Sequence, residues 1–144
     1  MKRITKSIIA VFAITTMLAS CSKDDKAMDP SGNWNMDNVV LSSPNVAPET
    51  IDVDGECTVK NNFNLKTAGV FQEGNVDPDT CELTNADGTW KMKTNNSVEL
   101  TLDGDSQVFN IQSVSASKLI LRMTDLGSDA PAGSYADFNF TKKQ

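Results

Sequence analysis

The stretch WKMKTNNSVELTLDGDSQVFNI (residues 90–111) decides the fold of this chain. Apolar residues alternate with polar ones in three short runs: Trp90-x-Met92, Val98-x-Leu100-x-Leu102 and Phe109-x-Ile111. Turn-forming residues separate these runs, at 95–96 and again at 103–105. An apolar residue at every second position is the pattern of a strand with one buried face. The stretch therefore predicts three antiparallel strands joined by tight hairpins.

The same alternation recurs along most of the chain: Trp34-x-Met36, Phe63-x-Leu65, Leu119-x-Leu121-x-Met123 and Ala136-x-Phe138-x-Phe140. Further turns are predicted at 66–69, 87–88 and 125–133, and longer polar loops at 42–50 and 73–80. No window keeps an apolar stripe at helical spacing over three turns. We therefore expect an all-β protein, an antiparallel meander of about eight strands joined largely by hairpins.

Such a meander either closes as a barrel or packs as a two-sheet β-sandwich, and the pairing of the first and last strands separates the two. The residues expected to face inward are Trp34, Met36, Phe63, Leu65, Phe71, Trp90, Met92, Val98, Leu100, Leu102, Phe109, Ile111, Leu119, Leu121, Met123, Ala136, Phe138 and Phe140. An eight-strand barrel is just wide enough to be filled by side chains or to hold one small molecule. Most of this set is large, which indicates a substantially filled interior, with room for a pocket at one mouth near Asn38 and Ala136.

One short pattern occurs twice, as GNWNM (32–36) and GTWKM (88–92). Glycine permits a tight start to each strand, and the tryptophan then points the same way as the methionine two places on. Nothing else in the two halves aligns. The simplest interpretation is two strands that each close the core with a tryptophan, without a duplicated domain.

The N-terminus carries an export pattern. Residues 1–6 include three basic side chains, and the apolar stretch at 8–19 is too short to span a bilayer, so it reads as a secretory signal rather than a short buried helix. Leu18-Ala19-Ser20-Cys21 resembles the lipobox of bacterial lipoproteins. In that family the cysteine takes a diacylglyceryl group and the signal is cut just before it. The resemblance implies a signal peptide at 1–20 and a lipid-anchored linker at 21–31.

Acylation at Cys21 would fix the protein to a membrane. Chains such as palmitate contribute about 0.8 kcal/mol per buried methylene, and several chains hold far more firmly than one. Residues 22–26 (SKDDK) resemble the acidic tract that directs some lipoproteins of Gram-negative bacteria to the cell surface, although a plain soluble tether has the same composition. We expect a lipid-anchored protein of the outer membrane, on its periplasmic or its external face.

The domain at 32–144 also resembles a known family. Gly-x-Trp opening the first strand of an eight-strand meander is similar to the start of lipocalins, and the pattern as a whole resembles the lipocalin-like domain of bacterial lipoproteins. The positions that carry the resemblance are Gly32, Trp34, Cys57, Phe63, Phe71, Cys81, Gly88 and Trp90. It implies a pocket for a small hydrophobic molecule. The candidate lining residues are Trp34, Met36, Trp90, Met92, Phe109 and Phe138.

Secreted animal lipocalins place a basic residue late in the barrel against the first-strand tryptophan. Arg122 is the candidate for that role in this chain, but it is out of phase with Leu121 and Met123. Arg122 is therefore predicted to face outward.

With Cys21 acylated, Cys57 and Cys81 remain as an even pair in an oxidising compartment, which predicts a disulfide. A bridge that closes about 25 residues stabilises a fold by roughly 3 to 4 kcal/mol in the chain-entropy model. The rival is a metal site, but two isolated cysteines in a chain without histidine do not make a tetrahedral zinc site.

Composition restricts the function further. Without histidine, neither a Ser-His-Asp nor a Cys-His nucleophile can form. The acidic clusters at 52–56, 77–79 and 103–105 lie in turn-forming sequence and do not fit an EF-hand. After removal of residues 1–20 the charge is 10 − 19 = −9, which repels nucleic acid.

Two hypotheses remain for a monomeric, non-catalytic protein without metal or cofactor. One is a binding module for a small apolar molecule. The other is a surface structural or protein-interaction domain with a solid core and no ligand.

Overall fold

A computed structural model describes residues 27–53 and 55–144, and this part of the chain is all-β. Its strands are β1 (Gly32–Ser42), β2 (Glu49–Ile51), β3 (Asn62–Leu65), β4 (Val70–Val76), β5 (Leu83–Thr94), β6 (Ser97–Leu102), β7 (Asp105–Val114), β8 (Lys118–Met123) and β9 (Tyr135–Lys142). Over the described residues, no helix has the length and apolar character needed to cross a membrane. The predicted signal peptide and Cys21 lie outside them.

The sheet closes on itself. Its strands are hydrogen-bonded in the order β2-β1-β3-β4-β5-β6-β7-β8-β9, and β1 pairs in addition with β9. Every neighbouring pair is antiparallel. The β1–β9 pairing joins the first and last strands, so the structure confirms the predicted barrel and excludes the sandwich. Eight strands form the wall, and the short β2 is added beside β1.

Strand β1 pairs with two strands along one edge, and its pairing along the other edge is interrupted by a bulge. Its first residues pair with β3 and its later ones, Val39 to Leu41, pair with β2. The register with β9 shifts between Met36 and Asn38. This bulge moves the inward phase by one residue, so that Val39 is buried while Asn38 faces outward and accepts a hydrogen bond from Asn139 (2.9 Å). The prediction that Asn38 leaves a pocket at a mouth of the barrel was therefore wrong, because its side chain lies on the outer wall, where it lines a surface depression.

One connected apolar core fills most of the barrel. It contains almost all of the predicted inward residues, and the largest ones that are fully buried are Trp34, Leu65, Val98, Leu119, Leu121 and Phe140. The ring of Phe63 lies 5.0 Å from that of Phe140 and 5.1 Å from that of Phe71, the latter edge-on. Aromatic pairs at such distances add to the free energy of burial. The period-two pattern thus predicted the core side chains correctly.

One predicted break in the sheet does not exist, and another begins later than predicted. The supposed turn at 87–88 lies inside β5, and the supposed loop at 73–80 contains the last residues of β4. Gly88 is opposite Phe71 on one side and Leu102 on the other. A Cβ there would collide with the carbonyl oxygen of Thr101. Close approach of neighbouring backbone, rather than a turn, explains this glycine.

The structure contains the predicted disulfide between Cys57 and Cys81, with Cα atoms 5.4 Å apart. Cys57 is buried, whereas Cys81 is exposed and adopts a positive φ of 57°. The bond ties the long connection between β2 and β3 to the turn between β4 and β5. Both segments lie at the same end of the barrel.

Candidate functional site

The two ends of the barrel differ. One end, called here the closed end, holds the start of β1 and the turns β3–β4, β5–β6 and β7–β8. The other, called the mouth, holds the turns β4–β5, β6–β7 and β8–β9 and the connection from β1 through β2 to β3. Successive strands of the wall run in opposite directions, so successive connections between them fall at opposite ends of the barrel.

The closed end is plugged by the segment before β1. Pro30 is fully buried, and its carbonyl accepts a hydrogen bond from Nε1 of Trp34 (2.8 Å). The Lys142 ammonium lies 4.3 Å from the Trp34 ring centroid, a cation–π contact. Gly32 has a φ of 148°, and a Cβ there would collide with Lys142 Nζ. Lysine could move aside, but residues with a side chain rarely adopt this φ, so the backbone at the start of β1 requires glycine.

The basic residue against the first-strand tryptophan is thus Lys142, and Arg122 was the wrong candidate for it. Arg122 faces outward, as its phase predicted, and its guanidinium makes two 2.7 Å bonds to the Asp137 carboxylate. It also lies 3.8 Å from the Tyr135 ring centroid. The hydrogen bond to Asp137 raises the pKa of Arg122 above its usual value, so the residue has a structural role on the outer wall.

The mouth opens into a cavity of about 300 Å³. Its floor and wall are apolar and are formed by Phe63, Phe71, Leu100, Leu102 and Phe109. Its remaining lining residues are polar or acidic: Glu73, Asp103, Asp105 and Gln107. Side chains two places apart on a strand share a face, so Glu73 lies above Phe71 on β4, and Gln107 lies above Phe109 on β7. The cavity therefore has an apolar base and an acidic rim.

Glu73 is the most buried of the three acidic residues that line the cavity. It is only partly exposed, and burial raises its pKa above the usual value, while a hydrogen bond with Asn75 opposes that rise. The pKa of Glu73 is higher in the folded protein than in the unfolded chain. The contribution of Glu73 to stability therefore falls as the pH rises from below the unfolded-state pKa to above the folded-state pKa. Burial therefore makes the charged form of Glu73 less favourable in the cavity than it is in water.

The six residues predicted to line a ligand site are not brought together at this cavity. Phe109 lines it, and Phe138 packs edge-on against Phe109 with ring centroids 5.5 Å apart. Trp34 and Met36 are buried in the core below. Trp90 and Met92 are partly buried against the core, and Nε1 of Trp90 donates to the Lys66 carbonyl (2.7 Å). Contact between these six residues and a ligand stays a prediction.

The polar lining was missed by the sequence reasoning, although a signal existed. The inward phase set by Phe71 continues to Glu73, and that set by Phe109 runs back through Gln107 to Asp105. Apolar alternation does not mark these positions, because their side chains are polar. Extending each strand's phase by one or two positions would have found the rim.

Asp77, in the predicted acidic cluster at 77–79, has a structural explanation. Asp77 accepts hydrogen bonds from the backbone N–H groups of Asp79 and Thr80, each 2.9 Å, and these bonds lower its pKa. It therefore stabilises the β4–β5 turn. In the part of the chain that the structure describes, no three histidine, cysteine, aspartate or glutamate side chains are grouped so that they could hold a metal ion.

A closed eight-strand antiparallel barrel, plugged at one end and hollow at the other, defines a lipocalin-like barrel. The sequence model of the lipocalin-like domain matches residues 31–121, more than half of the chain. The protein therefore belongs to the lipocalin-like domain family. The matched segment contains the cavity-lining residues, and β9, which closes the barrel, follows it. No curated protein matches the chain.

Proposed function

We propose that the protein is a lipid-anchored, non-catalytic binding protein of the outer membrane that takes a small apolar molecule into the mouth cavity. The observation that carries this proposal is the cavity itself, with three phenylalanines and two leucines at the open end of the barrel. Membership of the lipocalin-like family supports it. Cys21, behind its lipobox-like residues, would be the membrane anchor, and the described residues start after it.

The physical basis of binding would be burial of the ligand's apolar surface. Each square ångström of apolar surface removed from water contributes about 25 cal/mol, and part of this offsets the entropy lost on association. Phe63 is held by its neighbours Phe71 and Phe140, so the apolar floor is already ordered before a ligand arrives. An ordered pocket reduces the cost of binding.

A second candidate function is suggested by the half of the barrel nearer the closed end. Trp34, Leu119, Leu121 and Phe140 leave this half filled with side chains, as in a purely structural domain. The alternative is therefore a surface domain that supports structure or contacts other proteins and has no ligand. The two functions differ in whether a probe enters the mouth.

Blocking the cavity should abolish probe binding. Leu102 lines the cavity and is incompletely buried, so Leu102→Trp should fill part of the space. We expect N-phenylnaphthylamine, a neutral dye that brightens in apolar surroundings, to bind the unaltered protein and to be displaced by decanol. Its affinity should fall about tenfold or more in Leu102→Trp, since a loss of 1.4 kcal/mol already has that effect.

The matched control is Thr89→Trp, which adds the same side chain at an exposed position of β5. It should leave dye affinity unchanged. Equal affinities in the two variants would place the dye elsewhere on the protein. Absence of any saturable binding would favour the solid-core alternative.

The anchor has a separate test. In cells given a labelled fatty acid, we expect the protein to incorporate the label and to sediment with membranes. Cys21→Ala should abolish both, because no other residue offers a thiol at the lipobox position. A mature protein that begins at another residue and remains in the soluble fraction would contradict the anchor.

A further inference from the structure

We propose that the molecule bound in the mouth cavity is an amphipathic amine, with its apolar body on the phenylalanine floor and its ammonium group against Glu73. This inference rests on the proposed function, and it adds the chemical class of the ligand. Fatty acids and other apolar anions are, on this account, disfavoured.

The charge of the rim is of one sign. Three of the residues that line the cavity are acidic, Glu73, Asp103 and Asp105, and none of the described residues that line it is lysine or arginine. The chain as a whole is also acidic, with a formal charge of −6. A bound carboxylate would face three like charges, whereas a bound ammonium would be attracted by all of them.

The pKa values of two glutamates in the barrel wall are shifted in opposite directions. On the outer wall, Glu99 is held by Lys91 (2.6 Å) and Lys93 (2.9 Å), and their hydrogen bonds lower its pKa. The pKa of Glu73 is raised instead, because burial outweighs its hydrogen bond with Asn75. An ammonium group in the cavity would give Glu73 a positively charged hydrogen-bond donor, as the two lysines give Glu99, and would favour its ionised form.

The aromatic floor suits the same ligand. Phe63 and Phe71, whose rings meet edge to face, line the same cavity as Glu73. The face of an aromatic ring attracts a cation within about 6 Å of its centroid. Because Glu73 lies near the mouth and is not fully buried, an ammonium group there would keep part of its hydration. The cost of desolvating the charge is then reduced.

Three probes with the same alkyl chain test this inference: decylamine, decanol and decanoate, each used to displace N-phenylnaphthylamine from the purified protein at neutral pH. We expect decylamine to bind about tenfold more tightly than decanol, as a charge-assisted hydrogen bond contributes about 1.5 kcal/mol or more. Decanoate should bind more weakly than decanol. In Glu73→Gln, which keeps the size of the side chain, the ratio of the decylamine and decanol affinities should fall close to one.

Asp87→Asn is the matched control, since Asp87 is exposed on β5 and hydrogen-bonds Gln72 away from the cavity. It removes the same charge and should leave the ratio unchanged. If decanol binds and decylamine binds no better, or if Glu73→Gln leaves the preference intact, the inference is overturned while the proposed function stands. Failure of all three probes to displace the dye would instead overturn the proposed function.

Discussion

Phe140→Ala is expected to lower the free energy of unfolding by about 3 to 5 kcal/mol, the usual cost of removing a fully buried phenylalanine. Phe140 is 1% exposed and lies on β9 opposite Met36 of β1, at the seam that closes the barrel. Its ring also contacts that of Phe63 (5.0 Å) from β3. Urea unfolding followed by tryptophan fluorescence would measure the loss.

The matched control is Val108→Ala on β7. Val108 is 44% exposed on the outer wall, so its truncation should change stability by no more than about 0.5 kcal/mol. Equal effects of the two substitutions would mean that β9 does not close the barrel as described. A loss of only about 1 kcal/mol in Phe140→Ala would imply that the seam is loosely packed.

Removing the disulfide should be comparably severe. Cys57→Ala combined with Cys81→Ala opens a loop with a sequence separation of 24 residues, and the chain-entropy model predicts a loss of roughly 3 to 4 kcal/mol. Such a loss is a large fraction of the 5 to 15 kcal/mol typical of small domains. Denaturant unfolding of the oxidised protein and of the double variant would measure it.

A reducing agent provides the control for this second prediction. It should destabilise the unaltered protein towards the level of the double variant and leave the double variant unchanged. Two free thiols in native exported protein, detected by mass spectrometry after alkylation, would contradict the disulfide. The connection between β2 and β3 would then be held to the barrel by hydrogen bonds such as the one from the Met36 N–H to the Asn61 carbonyl (2.7 Å).

The fold was largely predictable because burial in a barrel imposes a period of two. The runs around Leu100 and Leu121 mark strands whose inward face is apolar and whose outward face is polar, and both residues are buried as expected. Val39 was missed because the bulge after Met36 shifts the phase, and a bulge leaves no apolar signature. Gly88 was misread because glycine marks both turns and close strand contacts.

The site was less predictable, for a physical reason. A cavity is a volume that side chains fail to fill, and its position depends on how eighteen or so inward residues pack, which alternation alone does not specify. Phe109 was identified as a lining residue and does border the cavity, whereas Glu73 was overlooked. Lys142 was overlooked too, although it lies two places after Phe140 in the inward phase.

The central claim is that an apolar molecule binds inside the mouth cavity. An isotope-filtered NMR experiment on labelled protein with unlabelled decanol would test it most directly, because it detects protein protons close to the ligand. The account predicts cross-peaks from the alkyl chain to Phe71, Leu100 and Phe109, which line the cavity. Cross-peaks confined to the exposed Val46 and Ile51, or none at saturating decanol, would contradict it.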